Sequence, residues 1–511
     1  MQMASFFLQY INFLKMLIMN NIKFVILLLL FQTNLFSQQS PKREMRAAWI
    51  STVENIDWPS KPGLSDQEMK AEMIRLLDNL QSYNLNTVIF QIRPTADAYY
   101  KSTKEPASHW ITGIQGVAPG FDPLQLMIDE AGKRGMNVHV WLNPYRVQKD
   151  TTKDVLSKDH LYFKKPELFI TYGKTRYFNP GYKETRDFVS SVVGEIVRNY
   201  DIQAIHMDDY FYPYKITGQE FPDQKAFEKE PRQFTDKEEW RRDNVDLIIK
   251  QIRDTIIANK PDVEFGISPF GVWRNKSKDL EGSNTVAGVT NYDDLYANIL
   301  KWQKENWIDY VTPQLYWHIG FERADFEVLA KWWSEHKYGA KVYVGHGDYR
   351  ISKTSKDVEW RSPDQIVKQI EMIRSLPLLE GSMHFTASTF LKMGDTLRKP
   401  LLQKPYKYIA LAPEASRITK IVPQSPIKAV LTKTGSKTLL AWQAGANNHK
   451  FVIYRFPKGK LTDFSSSENI FYVTTDTRLE LPNRDLKNYI YAITALSQTQ
   501  TESTPLPFIS K

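Results

Sequence analysis

Eight short apolar runs lie between Met45 and Phe390, and each gives way to a burst of polar and aromatic residues. They are MRAAWIST from Met45, NTVIFQIRP from Asn86, NVHVWLNPYR from Asn137, IQAIHMDDYFYP from Ile202, VEFGISPFGVWRN from Val263, DYVTPQLYWH from Asp309, KVYVGHGDYR from Lys341 and GSMHFTASTF from Gly381. Helical patterns separate them. Ser65 to Tyr83 opens with a capping Ser and a Glu three residues on, then repeats apolar residues at helical spacing. Asp122 to Gly135, Tyr182 to Tyr200 and Lys237 to Lys260 follow the same rule. Strand–helix alternation without short hairpins requires parallel pairing, and eight such units predict an α/β fold, a (β/α)8 TIM barrel. The chemistry of such a barrel sits where its strands end.

Residues 41–404 carry this alternation. From about Pro405 to Lys511 the period changes to two, in KAVLTK, KTLLAWQA, KFVIYRF, FYVTT, TRLELP and NYIYAITAL, which predicts a small all-β sandwich. Trp442, Tyr454 and the strand from Tyr489 to Leu496 resemble the core of fibronectin type III domains. At the other end, Phe24 to Phe31 (FVILLLLF) follows Lys23 and precedes Asn34–Ser37, the layout of an export signal over residues 1–37. The expected location is therefore periplasmic or extracellular, with no stable membrane insertion once the signal is removed.

Several chemistries are excluded at this level. The chain has no cysteine, so disulfides, thiolate nucleophiles and Cys-ligated metals are absent. Its net charge of +9 is not gathered into the basic stripe that nucleic acid requires, and no nucleic-acid partner is expected. Neither a phosphate-binding glycine loop nor a Gly-x-Ser-x-Gly elbow occurs. His206–Asp208 and His346–Asp348 have spacings that could hold a metal, but no His-x-His follows the first run, and neither metal nor cofactor is expected.

What remains at the strand ends is Trp, Tyr, Arg, Asn and Asp, a set suited to sugars. Alternation along the fourth run turns Ile205 and Met207 to the helices and Ala204, His206 and Asp208 inward, with Asp209 at the turn over the rim. Adjacent carboxylates repel, so one is expected to hold a proton and act as an acid. A glycosidase usually needs a second carboxyl. Glu54 past the first strand is the first choice, with Asp209, Asp97 and Asp348 behind it; a substrate acetamido group acting as nucleophile would make it unnecessary. The same parity places Gln91, Arg93 and Asn143 inward, followed by Tyr145 and Arg146. Tyr210, Trp273, Asn275, Gln314, Tyr316 and Trp317 complete the expected substrate wall. His139 and His206 read as interior residues that satisfy neighbours.

At these motifs the chain resembles the glycosyl-hydrolase-like family 10, exported bacterial barrel proteins. The matching residues are Arg46–Ile50, Gln91–Pro94, Phe121–Leu124, Trp141–Arg146, Asp208–Pro213, Trp240–Arg242, Ser268–Asn275 and Pro313–Trp317. The resemblance implies hydrolysis of glycosidic bonds, a central role for the Asp pair, and peptidoglycan strands stripped of peptides as the polysaccharide substrate. The competing expectation is a non-catalytic carbohydrate-binding or cell-wall scaffold protein on a barrel that has lost its chemistry, motivated by the absence of an obvious catalytic Glu.

Overall fold

The computed structural model describes residues 40–510 apart from 416, 417 and 419, so the expected export segment, residues 1–37, lies outside the described residues. Eight strands form the predicted closed barrel: β1 (Met45–Ile50), β2 (Thr87–Arg93), β3 (Asn137–Leu142), β4 (Ala204–Met207), β5 (Glu264–Ile267), β6 (Tyr310–Val311), β7 (Lys341–His346) and β8 (Leu379–His384). Every neighbouring pair is parallel, and the β8–β1 and β6–β7 pairings complete the ring. The helices stand where periodicity put them. α1 (Asp66–Gln81) starts on a Ser65–Glu68 capping box, which satisfies backbone N–H groups that have no partner within the helix. α2 (Pro123–Lys133), α3 (Lys183–Asn199) and α4 (Lys237–Asn259) follow, α2 and α4 being capped by Asp122 and Asp236.

Strand parity sorts the side chains into two layers. Ile205, Met207, Val88, Phe90, Val138 and Val140 meet the helices in one large apolar cluster. Trp49, Ile89, Trp141, Ala204, Tyr310, Tyr343 and Met383 fill the barrel itself. The interior needs one position without a side chain. A Cβ on Gly266 would fall 1.9 Å from the Tyr310 ring, whose hydroxyl bonds both His139 and His206 at 2.9 and 3.0 Å. Burial lowers both imidazoles, His139 to about 3, so the floor is neutral.

Two details depart from the sequence reading. Pro313 has no N–H to give, and the run from Asp309 divides into β6 and a separate pair, Gln314–Leu315, against β7. A short antiparallel hairpin exists after all: Phe169–Tyr172 and Thr175–Phe178 turn at Gly173 (φ 59°), and Arg146–Gln148 adds a third strand. The stretch just after residue 405 also makes contacts with the barrel. Tyr406 is buried and bonds His384 at 2.8 Å, and Leu411 pairs with Arg43 while packing against Val452 and Tyr454 of the sandwich.

The sandwich begins at β9 (Ile427–Thr434) and continues through β10 (Lys437–Gln443), β11 (Lys450–Pro457), β12 (Ile470–Thr474), β13 (Arg478–Pro482) and β14 (Tyr489–Leu496). Two sheets, β13–β10–β9 and β12–β11–β14, each gain a short strand from the C-terminal end. They close on Leu440, Trp442, Phe451, Ile453, Tyr491 and Ile493. The outer face of the second sheet covers the barrel's bottom. Thr475 N–H donates to Gly132 O at 3.1 Å, Thr474 to Lys133 O at 3.0 Å, and Gln498 to Ile202 O at 2.8 Å. The strands finish at the opposite end, where the loops carry Asp208 and Asp209.

Candidate active site

Asp208 follows β4 directly and points inward, as parity requires. One carboxylate oxygen accepts from Asn143 Nδ2 at 2.5 Å and from Trp141 Nε1 at 3.2 Å; the other takes only a long contact, 3.4 Å, from the Tyr210 N–H. The orientation of the Asn143 amide is fixed by its neighbours. Its oxygen accepts from Gln91 Nε2 at 2.6 Å and from Arg146 at 2.9 Å, which leaves the NH2 to face Asp208. Asp209 accepts a hydrogen bond from the Tyr214 hydroxyl and has Gln314 beside it.

Electrostatics set the pair apart. Burial raises both carboxyls, and for Asp208 the charge of Asp209 raises it further, while Arg146 and Asn143 pull back. The balance leaves Asp208 at about 7 and Asp209 at about 6, both well above the ordinary carboxylate range. Asp208 keeps 4 % and Asp209 2 % of their surface, and the neighbouring Tyr210 is 37 % exposed. Half-buried Arg146, Gln314, Tyr316 and Trp317 stand with it, the Arg146 guanidinium 5.4 Å from the centre of the Tyr210 ring.

A stability prediction follows from the raised values. The folded chain holds the Asp208 proton more tightly than the unfolded chain, whose carboxyl titrates near 4. Ionising it therefore costs stability progressively as pH rises from about 4 to about 7, and the cost is complete above that. Asp208→Asn is expected to melt a few degrees higher than wild type at about pH 8, with the gap closing towards about pH 4, as calorimetry across that range would show.

Other expected site residues go elsewhere. A bulge between Gln91 and Arg93 breaks the alternation, so Arg93 turns away from the barrel and is fully buried against Glu105, with 2.7 and 2.6 Å contacts. Gln91 is also fully buried; its oxygen accepts from Thr52 N and Val53 N, both 2.9 Å. Both brace the site from behind. Tyr145 is 1 % exposed within the outer core. Trp273 is buried, stacked on Trp332 at 6.0 Å, and the Asn275 side chain ties its own loop to Thr285 and Ala287. Arg93, Gln91, Tyr145 and Trp273 are all buried, while Asn275 is half-buried.

Glu54, the second acid that sequence alone favours, makes no contact with the Asp pair. Its side chain is 49 % exposed and ion-paired with Lys149, because the turn after β1 carries it out to solvent. Asp97 is buried near His109 and Gln115, and Asp348 is paired with His384 at 3.0 Å. The half-buried acid after β1 is Asp57, whose two oxygens accept from the Ser51 and Ser388 N–H groups at 2.7 and 2.8 Å. Its position and bonding make it a clasp between the first and last loops. Among the described residues no three His, Cys, Asp or Glu side chains gather as a metal site would need. No helix among them is long and apolar enough to cross a membrane.

Sequence reasoning passed over Tyr214 and Phe385 as site residues. Tyr214 stands in the aromatic burst after β4, five residues from Asp209, and Phe385 ends the β8 run, so both signals were present. Trp49 donates to His206 at 3.3 Å and packs edge-on against Phe385, joining floor to rim.

Comparison with known proteins agrees with this geometry. The profile of the family described as glycosyl hydrolase-like 10 matches residues 44–362, from the edge of β1 past β7. The chain is 44 % identical to glycosyl hydrolase YngK of Bacillus subtilis over 475 residues, 90 % of this chain and 92 % of that protein. It is 35 % identical to glycosyl hydrolase DigH of Escherichia coli K12 over 393 residues, 73 % of this chain and 88 % of that protein. Among solved structures, the PgaB glycoside hydrolase domain of Bordetella bronchiseptica overlaps with a TM-score of 0.45 at 10 % identity, covering 71 % of this chain and 99 % of that one, and the assignment does not rest on it. With an acid pair held at the mouth of a closed barrel and relatives matched over most of its length, the chain is a glycoside hydrolase and belongs to the glycosyl hydrolase-like 10 family.

Proposed function

We propose that the protein is exported and hydrolyses the glycan strands of peptidoglycan once their peptides have been removed, with Asp208 as the acid. One observation carries the reading: Asp208 and Asp209 lie side by side and buried after β4, with no contact joining a further acid to them among the described residues. An arrangement of this kind suits a substrate whose own acetamido oxygen attacks the anomeric carbon. In that scheme Asp208 gives its proton to the departing glycosidic oxygen and the C1–O bond breaks. Asp209 faces the acetamido N–H and supports the charge that develops there. Water then opens the cyclic intermediate at C1 and returns a proton to Asp208, with configuration retained. Sugars of peptidoglycan carry this acetamido group, which is why the acid pair favours such a polymer. The layout of Phe24 to Phe31 as an export signal supports a location outside the cytoplasm.

The likeness of the sandwich to fibronectin type III belongs to the same reading. Its support is the strand order, β13–β10–β9 facing β12–β11–β14, with Trp442 and Tyr491 between the sheets. Mass spectrometry after incubation with peptide-free peptidoglycan strands, and proton NMR of the first anomer released, test the proposal. Shorter saccharides with retained configuration are expected. Binding without cleavage across acetamido polymers would overturn it in favour of a scaffold protein.

A further inference from the structure

The arginines that carry structure in this protein are paired. Arg46 meets Glu44, Arg93 meets Glu105, Arg241 meets Asp223 and Arg274 meets Asp293, all within 2.7 Å. Arg350 differs. It ends the turn Asp348–Arg350 after β7, on the same face as the acid pair. Its Nε is buried with no hydrogen-bond partner, and among the described residues no carboxylate stands within ion-pair distance of its guanidinium. Leaving such a donor unsatisfied is costly, and the outer guanidinium nitrogens are left for something that arrives from solution.

What surrounds it is aromatic. The guanidinium lies 5.4 Å from the centre of the Tyr349 ring, and Tyr349 is 49 % exposed. Tyr349 packs edge-on against Tyr316 and Phe385, each with centres 5.9 Å apart, while Tyr316 stacks on Phe385 at 5.8 Å. Tyr316 in turn sits close enough to Asp209 and Tyr210 for their charges to bear on its hydroxyl. A continuous platform therefore runs outward from the acid pair through Tyr316 to Tyr349, and ends at a free cation. Sugar rings stack on such faces, and a planar guanidinium takes a carboxylate in two-pronged fashion.

We infer that Tyr349 and Arg350 form a subsite for a carboxylate-bearing sugar next to the cleavage point, the ring lying against Tyr349 and the carboxylate against Arg350. The inference rests on the cell-wall reading, because a peptide-free strand exposes a lactyl carboxylate on every second sugar, whereas a strand still bearing peptides has that group tied up in an amide. Arg350 thus selects stripped strands over both neutral glycans and substituted ones.

The test compares peptide-free strands with the same strands after their carboxylates have been reduced to alcohols, using kcat/KM for wild type, Arg350→Gln, Arg350→Lys and Tyr349→Ala. Wild type is expected to prefer the carboxylate form by about tenfold, the worth of one charge-assisted contact. Arg350→Gln should bring that ratio near one, Arg350→Lys should keep part of it, and Tyr349→Ala should weaken cleavage of both forms. The ratio is internal to each variant, so a general loss of stability does not imitate the result. A wild-type ratio in Arg350→Gln, or no preference in wild type, overturns the subsite while leaving the cell-wall reading intact. Cleavage of neither form by wild type overturns the cell-wall reading itself, and the subsite with it.

Discussion

Asp208→Asn is expected to lower kcat by about 10³-fold or more while leaving the fold and glycan binding in place. The change keeps the size of the side chain, and the new amide oxygen still accepts from Asn143 and Trp141, whose donors would otherwise be stranded. What it removes is the exchangeable proton. Asp209→Asn should cost a comparable factor, and the double variant little more than either, because the two acids work as one unit. Initial rates on peptide-free strands, with affinity measured on the inactive variants, check this. Activity of Asp208→Asn within about tenfold of wild type would remove Asp208 from the chemistry, since general acid catalysis alone contributes 10² to 10⁴.

The barrel was legible because its two periods are physical necessities. Each strand must bury one face against helices and the other inside the ring, and Ile205 and Met207 against His206 and Asp208 record this directly. A capping Ser marked the start of α1 for a similar reason: exposed N–H groups need acceptors. Parity failed where the backbone departs from regular pleating. At Gln91–Arg93 the bulge is made by pairing with β3, and nothing in QIRP announces it. The run after Asp309 was misread in spite of Pro313, a visible signal that outweighs apolar continuity. Aromatics were the least legible group. Trp273 and Tyr316 sit in similar local sequences, yet Trp332 covers the first while Tyr349 and Phe385 flank the second. The partners that decide exposure come from other strands, and one-dimensional spacing does not contain them.

Arg93 supplies the second large effect, and it links stability to the acid pair. The Arg93 side chain is fully buried and grips Glu105 through two contacts. Burial pulls against both charges. It outweighs the guanidinium at Glu105, whose carboxyl is held above its usual value, whereas Glu105 outweighs burial at Arg93 and holds it up; the two-pronged geometry identifies the contact as an ion pair. Arg93→Met alone should lower stability by about 3–5 kcal/mol, because it strands a buried carboxylate. Arg93→Met with Glu105→Met should recover most of that loss, since a buried pair replaced by apolar groups of similar volume costs little. Activity should not recover with it. Arg93 also donates to Asn143 O, at 2.5 Å, and to Pro144 O, at 3.1 Å, and so pins the loop whose Asn143 amide faces Asp208. With that anchor gone, Asn143 no longer holds the carboxylate in one orientation, and kcat should stay down about tenfold or more in the double variant while its denaturation midpoint approaches wild type. Restored activity alongside restored stability would show that Arg93 serves the fold alone; low activity in a stable double variant would show that the pair behind the barrel wall positions the acid in front of it.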